Sequence, residues 1–426
     1  MKIGIVGAGI SGLTIGYRLA QQGHDLTIWE ANSEPGGLAS GFKDDNWDWP
    51  LERHYHHLFT SDTAIQNLAK ELDVPVDIYS PKTSVWYNHH SYPFDSPISI
   101  LKFPHLSLSG KARLSFWLAY LKLNPYYKNL ENQLARDWII SHMGQEVWRV
   151  VWKPLFHGKF GSLTNHISAV WFWARIYKRS PKLGYFQGGY QAFSDTLTQE
   201  FKKLNGKLFL STPVDQIQTE KNHQLGVSAP HGAGKYDRVI IAGPGNLLLK
   251  LVPSLPRNYL EQLGQLQSIG AVNLVLALNQ QFLTDNTYWL NINDTEKPFL
   301  AVVEHTNMVS SQHYGGDRLL YVGNYLPSNH QYFQLSDQQL ITLFTPHLQT
   351  INPNFDQNWI RKSWVFKAPF AQHIVTPHYK EILPDIQTPI PNLYWISMQH
   401  VYPWDRGTNY SVEWGEKVAK MISESK

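Results

Sequence analysis

The chain has no cysteine among its 426 residues. It therefore contains no disulfide bond and no thiolate nucleophile, and it has no cysteine ligands for an iron–sulfur cluster. A dithiol relay that passes electrons to an acceptor is excluded for the same reason. These absences remove cysteine chemistry from the functions open to this protein.

Long apolar runs are also lacking. The segment Leu114–Leu121 comes nearest to one, and it is far shorter than the ~20 residues of a membrane-spanning helix. Strand character is expected already at Ile3, which leaves no room for a signal peptide. The formal net charge of +3 is too small to indicate nucleic-acid binding. We therefore expect a cytoplasmic protein, and its length predicts two domains or so.

The first residues show the pattern of a dinucleotide-binding unit. An apolar strand runs into the motif Gly7-x-Gly9-x-x-Gly12, and a helix follows without a break. Gly7 permits the tight turn, Gly9 lets the backbone approach a pyrophosphate, and Gly12 lets the helix pack against the strand. Ile10 and Ser11 open this helix, whose free N–H groups and positive dipole end point at the phosphates.

A second apolar strand over Asp25–Trp29 delivers Glu30. Its carboxylate follows the glycine motif at the distance where an acid accepts hydrogen bonds from a ribose diol. A negative charge there disfavours a 2′-phosphate, so NADP is not expected. Strand, turn, helix, strand and acid in this order predict a dinucleotide site, and a glycine-rich turn in an unrelated α/β unit is the alternative.

Two later segments bear on which dinucleotide binds. Gly36-Gly37-Leu38 follows the acid, and Gly407-Thr408-Asn409 opens the last helix. Together with three further motifs they resemble the flavin-containing amine oxidase superfamily, in the bacterial branch labelled protoporphyrinogen-oxidase-like or amine-oxidase-like. Those motifs are Glu52–Phe59, Gly158–Gly161 and Gln187–Tyr190. The similarity extends over nearly the whole chain and favours FAD over NAD.

The resemblance implies how FAD is held. The Gly36-Gly37-Leu38 loop approaches the phosphates, and the N-terminus of the last helix faces the flavin pyrimidine ring. Gly407 permits that approach, and Thr408 and Asn409 bond ring or ribityl atoms. The backbone of Val214 contacts adenine. Because the chain has no cysteine, a cysteinyl–flavin bond is excluded, whereas a histidyl–flavin link remains open.

The resemblance also implies the fold. We expect an α/β protein with a Rossmann-type FAD-binding domain of the glutathione reductase type and a mixed α+β substrate domain that contains a helical insert. The FAD-binding domain is discontinuous and comprises residues 1–85, 186–250 and 385–426. The substrate domain comprises residues 86–185 and 251–384. Alternating segments between residues 270 and 330 predict a mostly antiparallel sheet there.

Three side chains are candidates for the chemistry. His56 lies in the run His54–His57, which the resemblance places beside the flavin ring, where an imidazole can accept a substrate proton. A structural loop and a metal site are the alternatives, and no carboxylate or cysteine cluster nearby completes a metal site. Lys367 corresponds to the lysine that amine oxidases keep near flavin N5, although its surroundings depart from theirs and a surface lysine is the alternative. Tyr410 is expected to close an aromatic wall over the ring.

Two cationic side chains are candidates for substrate binding. Arg53 and Lys159 could face anionic groups such as phosphate or carboxylate, and salt bridges to neighbouring acids are the alternative. The segment of residues 101–127 mixes tryptophan and leucine with lysine and arginine. A basic helix of that composition can lie on an anionic bilayer, which predicts peripheral membrane contact; an ordinary core helix is the alternative.

The sequence therefore predicts an FAD-dependent oxidoreductase that acts on a small organic substrate. It would remove a hydride equivalent from a C–N or C–C bond and pass the electrons to oxygen or a quinone-like acceptor. One alternative is a redox-neutral flavoenzyme of the UDP-galactopyranose mutase type, with a nucleotide sugar as substrate. Another is a non-catalytic protein that keeps the flavin fold. Porphyrinogens, polyamines, carotenoid precursors and nucleotide sugars all remain open as substrates.

Overall fold

A parallel five-stranded sheet and a mixed seven-stranded sheet organise the protein. The computed structural model describes residues 1–294 and 296–424. The strands of the parallel sheet come from three distant parts of the chain and are almost entirely apolar, as expected when helices and loops cover both faces. In spatial order they are Lys207–Phe209, Asp25–Trp29, Lys2–Val6, Arg238–Ala242 and Leu393–Ile396.

The mixed sheet is antiparallel except for one pair of strands. That pair is Thr287–Ile292 with Lys82–Tyr87, which run parallel. In spatial order the seven strands are Ile360–His373, Ser268–Leu278, Arg318–Leu326, Ala301–Glu304, Thr287–Ile292, Lys82–Tyr87 and His90–Pro93. Three smaller sheets contain Gln216–Thr219, Leu225–Ser228 and Gly234–Tyr236; Gly41–Phe42 and Leu51–Glu52; and Leu58–Phe59, Leu183–Phe186 and Val76–Tyr79.

Helices flank both sheets and fill the segment between residues 97 and 178. The α-helices are Ile10–Gln21, Thr63–Glu71, Pro97–Lys102, Leu108–Leu123, Ala135–Met143, Gln145–Val147, Lys153–Phe160, Ala169–Lys178, Gly189–Lys203, Gly245–Leu251, Arg257–Gln265, Asp337–Ile351, Tyr379–Ile382 and Thr408–Glu424, with a π-helical turn at Trp148–Trp152. Within the described ranges, no helix is both long and apolar enough to cross a bilayer.

The expected fold class is confirmed: a parallel Rossmann-type sheet is combined with a second, mostly antiparallel sheet. The division into domains stays a prediction, and two of its limits do not follow the strands. The limit between residues 185 and 186 cuts the strand Leu183–Phe186. The limit at residue 85 cuts the strand Lys82–Tyr87, which belongs to the mixed sheet. Thr295, Ser425 and Lys426, which fall in two of the expected domain segments, lie outside the described residues.

Two glycines allow the first strand and the first helix to pack closely. Gly7 has a φ of +105°, and a Cβ atom there would lie 2.5 Å from the carbonyl oxygen of Ala242. A Cβ atom on Gly12 would lie 2.0 Å from the carbonyl oxygen of Gly7. Both contacts are too short for any side chain, so these glycines are required by the turn itself.

A buried carboxyl group, Glu52, joins the small sheets to the helix Gly189–Lys203. Its Oε1 accepts the backbone N–H of Tyr190 at 2.7 Å, and the Tyr185 hydroxyl donates to its Oε2 at 2.8 Å. The Tyr321 hydroxyl, on the mixed sheet, donates to the backbone carbonyl of Glu52. Burial raises the pKa of Glu52 to about 7, and these hydrogen bonds only partly oppose the effect.

We expect the substitution Glu52→Gln to reduce the pH dependence of stability. Between pH 4.5, where this carboxyl titrates in the unfolded chain, and about pH 7, the folded state retains a proton that the unfolded state has lost. Stability therefore falls as the pH rises through this window, by roughly 3 kcal/mol for this group. Urea unfolding at pH 4.5 and pH 7.5 measures the difference.

The buried carboxyl of Glu304, whose pKa burial also raises to about 7, contributes with the same sign in both proteins. The comparison of wild type with Glu52→Gln therefore isolates Glu52. An unchanged pH dependence in the variant would show that Glu52 titrates normally in the folded state.

Candidate flavin and substrate site

The glycine turn and the Gly36-Gly37 loop lie against each other. The Gly36 N–H donates to the Ala8 carbonyl at 2.9 Å, and Gly9 and Gly36 form a parallel bridge. A Cβ atom on Gly9 would meet only the Cα atom of Gly37, at 3.9 Å. Gly9 therefore borders space that a side chain would fill, beside the N-terminus of the helix that Ile10 and Ser11 begin.

Glu30 is buried beside the cradle, the space bordered by Gly9 and the Gly36-Gly37 loop. Its Oε2 accepts the N–H of Ala8 at 2.8 Å, and its Oε1 accepts the backbone and side-chain N–H groups of Asn32 at 2.9 and 2.8 Å. Each carboxylate oxygen can accept more than one hydrogen bond, so the group retains capacity for a ribose hydroxyl. The predicted acid is thus fixed directly to the glycine turn.

Val214 lies in a loop that is bound to Glu30. The N–H of Thr212 donates to the Glu30 carbonyl at 2.8 Å, which ties this loop to the acid. The Val214 side chain is buried in the apolar cluster that contains Val6 and Trp29. Among the described residues, neither backbone group of Val214 has a hydrogen-bond partner, so both are available to an adenine edge.

The N-terminus of the last helix is open to a ligand. The Tyr410 N–H donates back to the Gly407 carbonyl, whereas the N–H groups of Thr408 and Asn409 precede the first intrahelical hydrogen bond. The Asn409 side-chain carbonyl accepts the N–H of Ile65 at 3.2 Å. Of the Asn409 side chain, the NH2 group is then left for ring or ribityl atoms, in addition to the free backbone N–H groups.

A small cavity lies where these loops meet the mixed sheet. The loops contribute Leu38, from the Gly-Gly segment, and Arg406, which precedes the last helix. The complete lining is Leu38, His54, Tyr55, His56, Ala271, Asn273, Tyr325, Ala371 and Arg406. Predicted residues Leu38 and His56 are therefore brought together, and the cavity lies between the mixed sheet and these loops.

The histidines beside this cavity are uncharged at neutral pH. Burial lowers the pKa of His54 to about 3 and that of His56 to about 4, and nearby Arg406 adds to both effects. The His56 Nδ1 lies 2.6 Å from the His54 carbonyl oxygen. A carbonyl only accepts, so Nδ1 carries the proton and the lone pair of His56 is on Nε2. The amide of Asn273 donates to His54 Nδ1 at 2.7 Å and holds that ring.

Within the described part of the chain, no group of histidine and carboxylate side chains is arranged to hold a metal ion.

A buried ionic cluster lies behind Arg406. The Asp405 carboxylate accepts a hydrogen bond from Arg175 at 2.9 Å and lies 3.8 Å from the Lys159 ammonium. Burial lowers the pKa of Lys159 well below its ordinary value, and Asp405 offsets this only in part. Arg406 donates to the Gln372 side chain at 2.9 Å and to the Tyr325 hydroxyl.

Four of the predicted catalytic and substrate-binding residues do not line the cavity. Lys159 lies in the ionic cluster with Asp405, which is its salt-bridge alternative. Lys367 is exposed and donates to the Leu335 carbonyl, so the prediction that it lies beside the flavin is wrong. The Arg53 Nη2 atom lies 3.9 Å from Glu34 Oε2. This contact corresponds to the alternative prediction, a salt bridge to a neighbouring acid. Tyr410 is buried, but its ring stacks on Trp404, with 6.0 Å between centroids, outside the cavity lining.

Sequence reasoning missed Asn273, Tyr325 and Arg406 as cavity residues. Asn273 carried a usable signal, because it is the one amide side chain inside the otherwise apolar strand Ser268–Leu278. Arg406 lies within a motif that was recognised, next to Gly407. Nothing in the local sequence distinguishes Tyr325 from the other aromatic residues of its sheet.

The residues present fit a flavin dinucleotide. Gly9 leaves room for a pyrophosphate, Glu30 retains acceptor capacity, and the N–H groups of Thr408 and Asn409 precede the first intrahelical hydrogen bond of the last helix. The lining combines aliphatic and aromatic surface with a few polar groups, as small-molecule sites do.

Comparisons with known proteins agree with this geometry. The profile of the flavin containing amine oxidoreductase family matches residues 10–420. A 15-cis-phytoene desaturase from Synechococcus elongatus is 22% identical over 440 residues, covering 92% of this chain and 90% of that protein.

Two solved structures show the same fold. A protein of Exiguobacterium sp. 255-15 assigned as a protoporphyrinogen oxidase has a TM-score of 0.78 at 15% identity, covering 100% of this chain and 99% of that chain. Reduced UDP-galactopyranose mutase has a TM-score of 0.77 at 15% identity, covering 99% of this chain and 95% of that chain.

We expect Gly9→Val to fold but to lose its bound dinucleotide. The new side chain meets no backbone atom closer than 3.9 Å at Cβ, yet its methyl groups fill the space beside Gly37. Absorbance of the purified protein and its unfolding temperature test both parts. Gly264→Val is the matched control, because a Cβ atom there meets nothing within 4 Å. Full cofactor occupancy in Gly9→Val would rule out the cradle.

Proposed function

The chain belongs to the flavin-containing amine oxidoreductase family, and on that basis we propose that it is an FAD-dependent oxidoreductase. It removes a hydride equivalent from a C–N or C–C bond of a small organic substrate, and oxygen or a quinone-like molecule takes up the electrons. The observation that carries the proposal is the cavity against the mixed sheet, which joins the Gly-Gly loop at Leu38 to the loop before the last helix at Arg406.

The residues that would hold FAD lie along one path. The pyrophosphate would bind at the glycine turn of Gly7, Gly9 and Gly12 and at the Gly36-Gly37 loop. Glu30 would bind the ribose, and the backbone of Val214 would contact the adenine. Amides at the start of the last helix receive the flavin end, where their dipole stabilises negative charge. Bound FAD supplies the acceptor for the hydride equivalent. The Synechococcus relative is named as a desaturase, which supports a C–C bond as one target.

His56 is the side chain best placed to accept a substrate proton. Its Nε2 lone pair is free because Nδ1 donates to the His54 carbonyl. Desolvation keeps the ring unprotonated near pH 7 and also makes it a weak base. The Tyr190 ring lies tilted against the His56 ring, with 5.3 Å between centroids, and covers one side of it.

Spectroscopy on the purified protein tests the proposal. Oxidised flavin bands that pass into the supernatant after acid precipitation, as FAD, support it, and anaerobic bleaching by a substrate identifies the reductive reaction. A mutase would require pre-reduced flavin and consume no oxygen; Lys159 and Arg406 beside the cavity favour that alternative because they could bind a diphosphate. A protein that neither carries nor takes up FAD, but binds a partner, would be a non-catalytic relative.

We expect His56→Asn to keep bound flavin and to slow flavin reduction by about 100-fold, the loss expected for a general base. Asparagine places an N–H near the position of Nδ1, so the contact with the His54 carbonyl survives and only the proton acceptor is removed. Stopped-flow reduction under anaerobic conditions measures this rate. The wild-type rate should be flat from pH 6 to 8 and fall as the pH approaches 4. Wild-type kinetics in His56→Asn would assign the ring a structural role, and His105→Asn, at a different part of the molecule, is the control.

We also propose that the helical segment around Leu108–Leu123 contacts an anionic bilayer. Of the eleven large apolar side chains that are exposed among the described residues, seven lie between residues 98 and 126. They are Ile98, Leu101, Leu108, Phe116, Tyr120, Leu123 and Tyr126. Residues 96–130 contain four lysines and an arginine but no aspartate or glutamate. Exposed apolar surface with positive charge only is the composition of an interfacial helix.

We expect Phe116→Asp combined with Leu123→Asp to lower binding to phosphatidylglycerol vesicles at least tenfold, because two apolar contacts are lost and negative charge is added. Binding should also weaken with salt and be low for phosphatidylcholine vesicles. Co-sedimentation measures the bound fraction. Leu249→Asp, on an exposed apolar residue elsewhere, is the control. Equal binding of all three proteins would exclude this surface.

A further inference from the structure

The helix Ala169–Lys178 and the residue that follows it carry two arginines, Arg175 and Arg179, near the cavity residue Arg406. We propose that Arg175 and Arg179 form a subsite for an anionic group of the substrate, a carboxylate or a phosphate. The inference rests on the proposed function and narrows its substrate class. It places the charged end of the substrate on the helical insert, beside the loop that precedes the last helix.

Arg175 connects the helix Ala169–Lys178 to the loop that contributes Arg406 to the cavity. Its Nη1 donates to the Asp405 carboxylate at 2.9 Å, and Asp405 is followed by the cavity residue Arg406. The Arg175 side chain is nevertheless 40% exposed, so the rest of its fork of N–H donors remains accessible. Trp171 packs under the guanidinium, with 5.5 Å from the central carbon to the ring centroid, and fixes its plane.

Arg179 follows Arg175 by one helical turn and so lies on the same face. Among the described residues its guanidinium has no hydrogen-bond or ion-pair partner. The residue is exposed to solvent, yet burial among neighbouring atoms lowers the pKa of its guanidinium to about 10. Because the residue is exposed, the N–H donors of its guanidinium are accessible to a ligand.

Two hydrogen bonds hold the residues that flank Arg179 beside the histidine loop. The Ser61 hydroxyl donates to the Lys178 carbonyl at 2.7 Å, and the Thr60 N–H donates to the Ser180 hydroxyl at 2.9 Å. Residues 178–180 are thereby held against the segment that begins with His54–His57. The positive charges of Arg179 and Arg175 are among the causes that lower the pKa of His57, although burial is the larger cause.

The balance of charge in this region selects the sign of a ligand. Arg175, Arg179 and Arg406 are permanently cationic, and two carboxylates act on them, Asp405 in contact and Asp95 at longer range. Lys159 adds further positive character when it is protonated. The net excess is positive, so a protonated amine would be repelled and an anion attracted.

Arginine is also suited to this task by its shape. Its planar fork of donors matches the two oxygens of a carboxylate or the oxygens of a phosphate, and each charge-assisted hydrogen bond is stronger than a neutral one. The dinucleotide phosphates are expected at Gly9 and Gly37, where no side chain fills the space. The two arginines are therefore left for the substrate.

The experiment measures anion binding to the flavin-loaded protein by titration calorimetry, with inorganic pyrophosphate and succinate as separate probes. We expect at least one probe to bind wild type and to bind Arg179→Gln about ten- to a hundredfold more weakly, the range for a lost charge-assisted hydrogen bond. Arg179→Lys should recover part of the loss. Arg257→Gln, whose side chain is 92% exposed beside Glu261, is the control and should bind as wild type does.

The preferred probe identifies the anion as phosphate or carboxylate. Binding of neither probe, or equal binding by wild type and Arg179→Gln, overturns the subsite. A shifted flavin reduction potential in Arg179→Gln with unchanged probe binding also overturns it and assigns the charge to the flavin. A protein that purifies without flavin and cannot be reconstituted contradicts the proposed function instead, and the calorimetric comparison can still be made on it.

Discussion

The arrangement of the site depends on one buried carboxylate, Asp405. Its Oδ1 accepts hydrogen bonds from the Trp171 indole at 3.0 Å and the Gln372 amide at 3.2 Å, and its Oδ2 accepts from Arg175. These partners come from the helical insert and the mixed sheet, whereas Asp405 itself precedes the last helix. Burial alone would raise the pKa of this carboxyl, but Lys159 and Arg175 outweigh it and hold the pKa well below its usual range. A single ionised group thus fixes three parts of the chain, and removing it would leave buried cations unpaired, which typically costs several kcal/mol.

The same desolvation acts in opposite ways on the two kinds of basic side chain around the cavity. It keeps His54 and His56 neutral, because an imidazole can release its proton at modest cost. It cannot neutralise Arg406, whose pKa falls only to about 10. The result is a region with permanent positive charge from arginine and unprotonated nitrogen from histidine, side by side. Binding and proton transfer can therefore be assigned to different residue types without competition for one proton.

The sequence predicted the parts of this protein that are encoded locally. The glycine turn, the strand Asp25–Trp29 and the acid after it follow from short-range pattern, and the family resemblance is confirmed. Side-chain direction was not predictable, as Lys367 shows. Lys367 pairs with Val272 and faces away from the cavity, whereas its neighbour Phe366 pairs with the cavity residue Asn273. Because strand faces alternate at every residue, one step in register decides whether a lysine reaches the site, and only the folded sheet fixes that step.

The discontinuous parallel sheet has a consequence for how the protein is made. Its strand Arg238–Ala242 acquires its outer neighbour, Leu393–Ile396, only after about 150 further residues have been synthesised. At ribosomal speeds of 5–20 residues per second this interval lasts roughly 10–30 s. Throughout it an apolar edge strand stays unpaired on the nascent chain, where it could pair with other chains. Ribosome-associated chaperones should therefore matter more for the yield of this protein than for one whose sheet is built from consecutive strands.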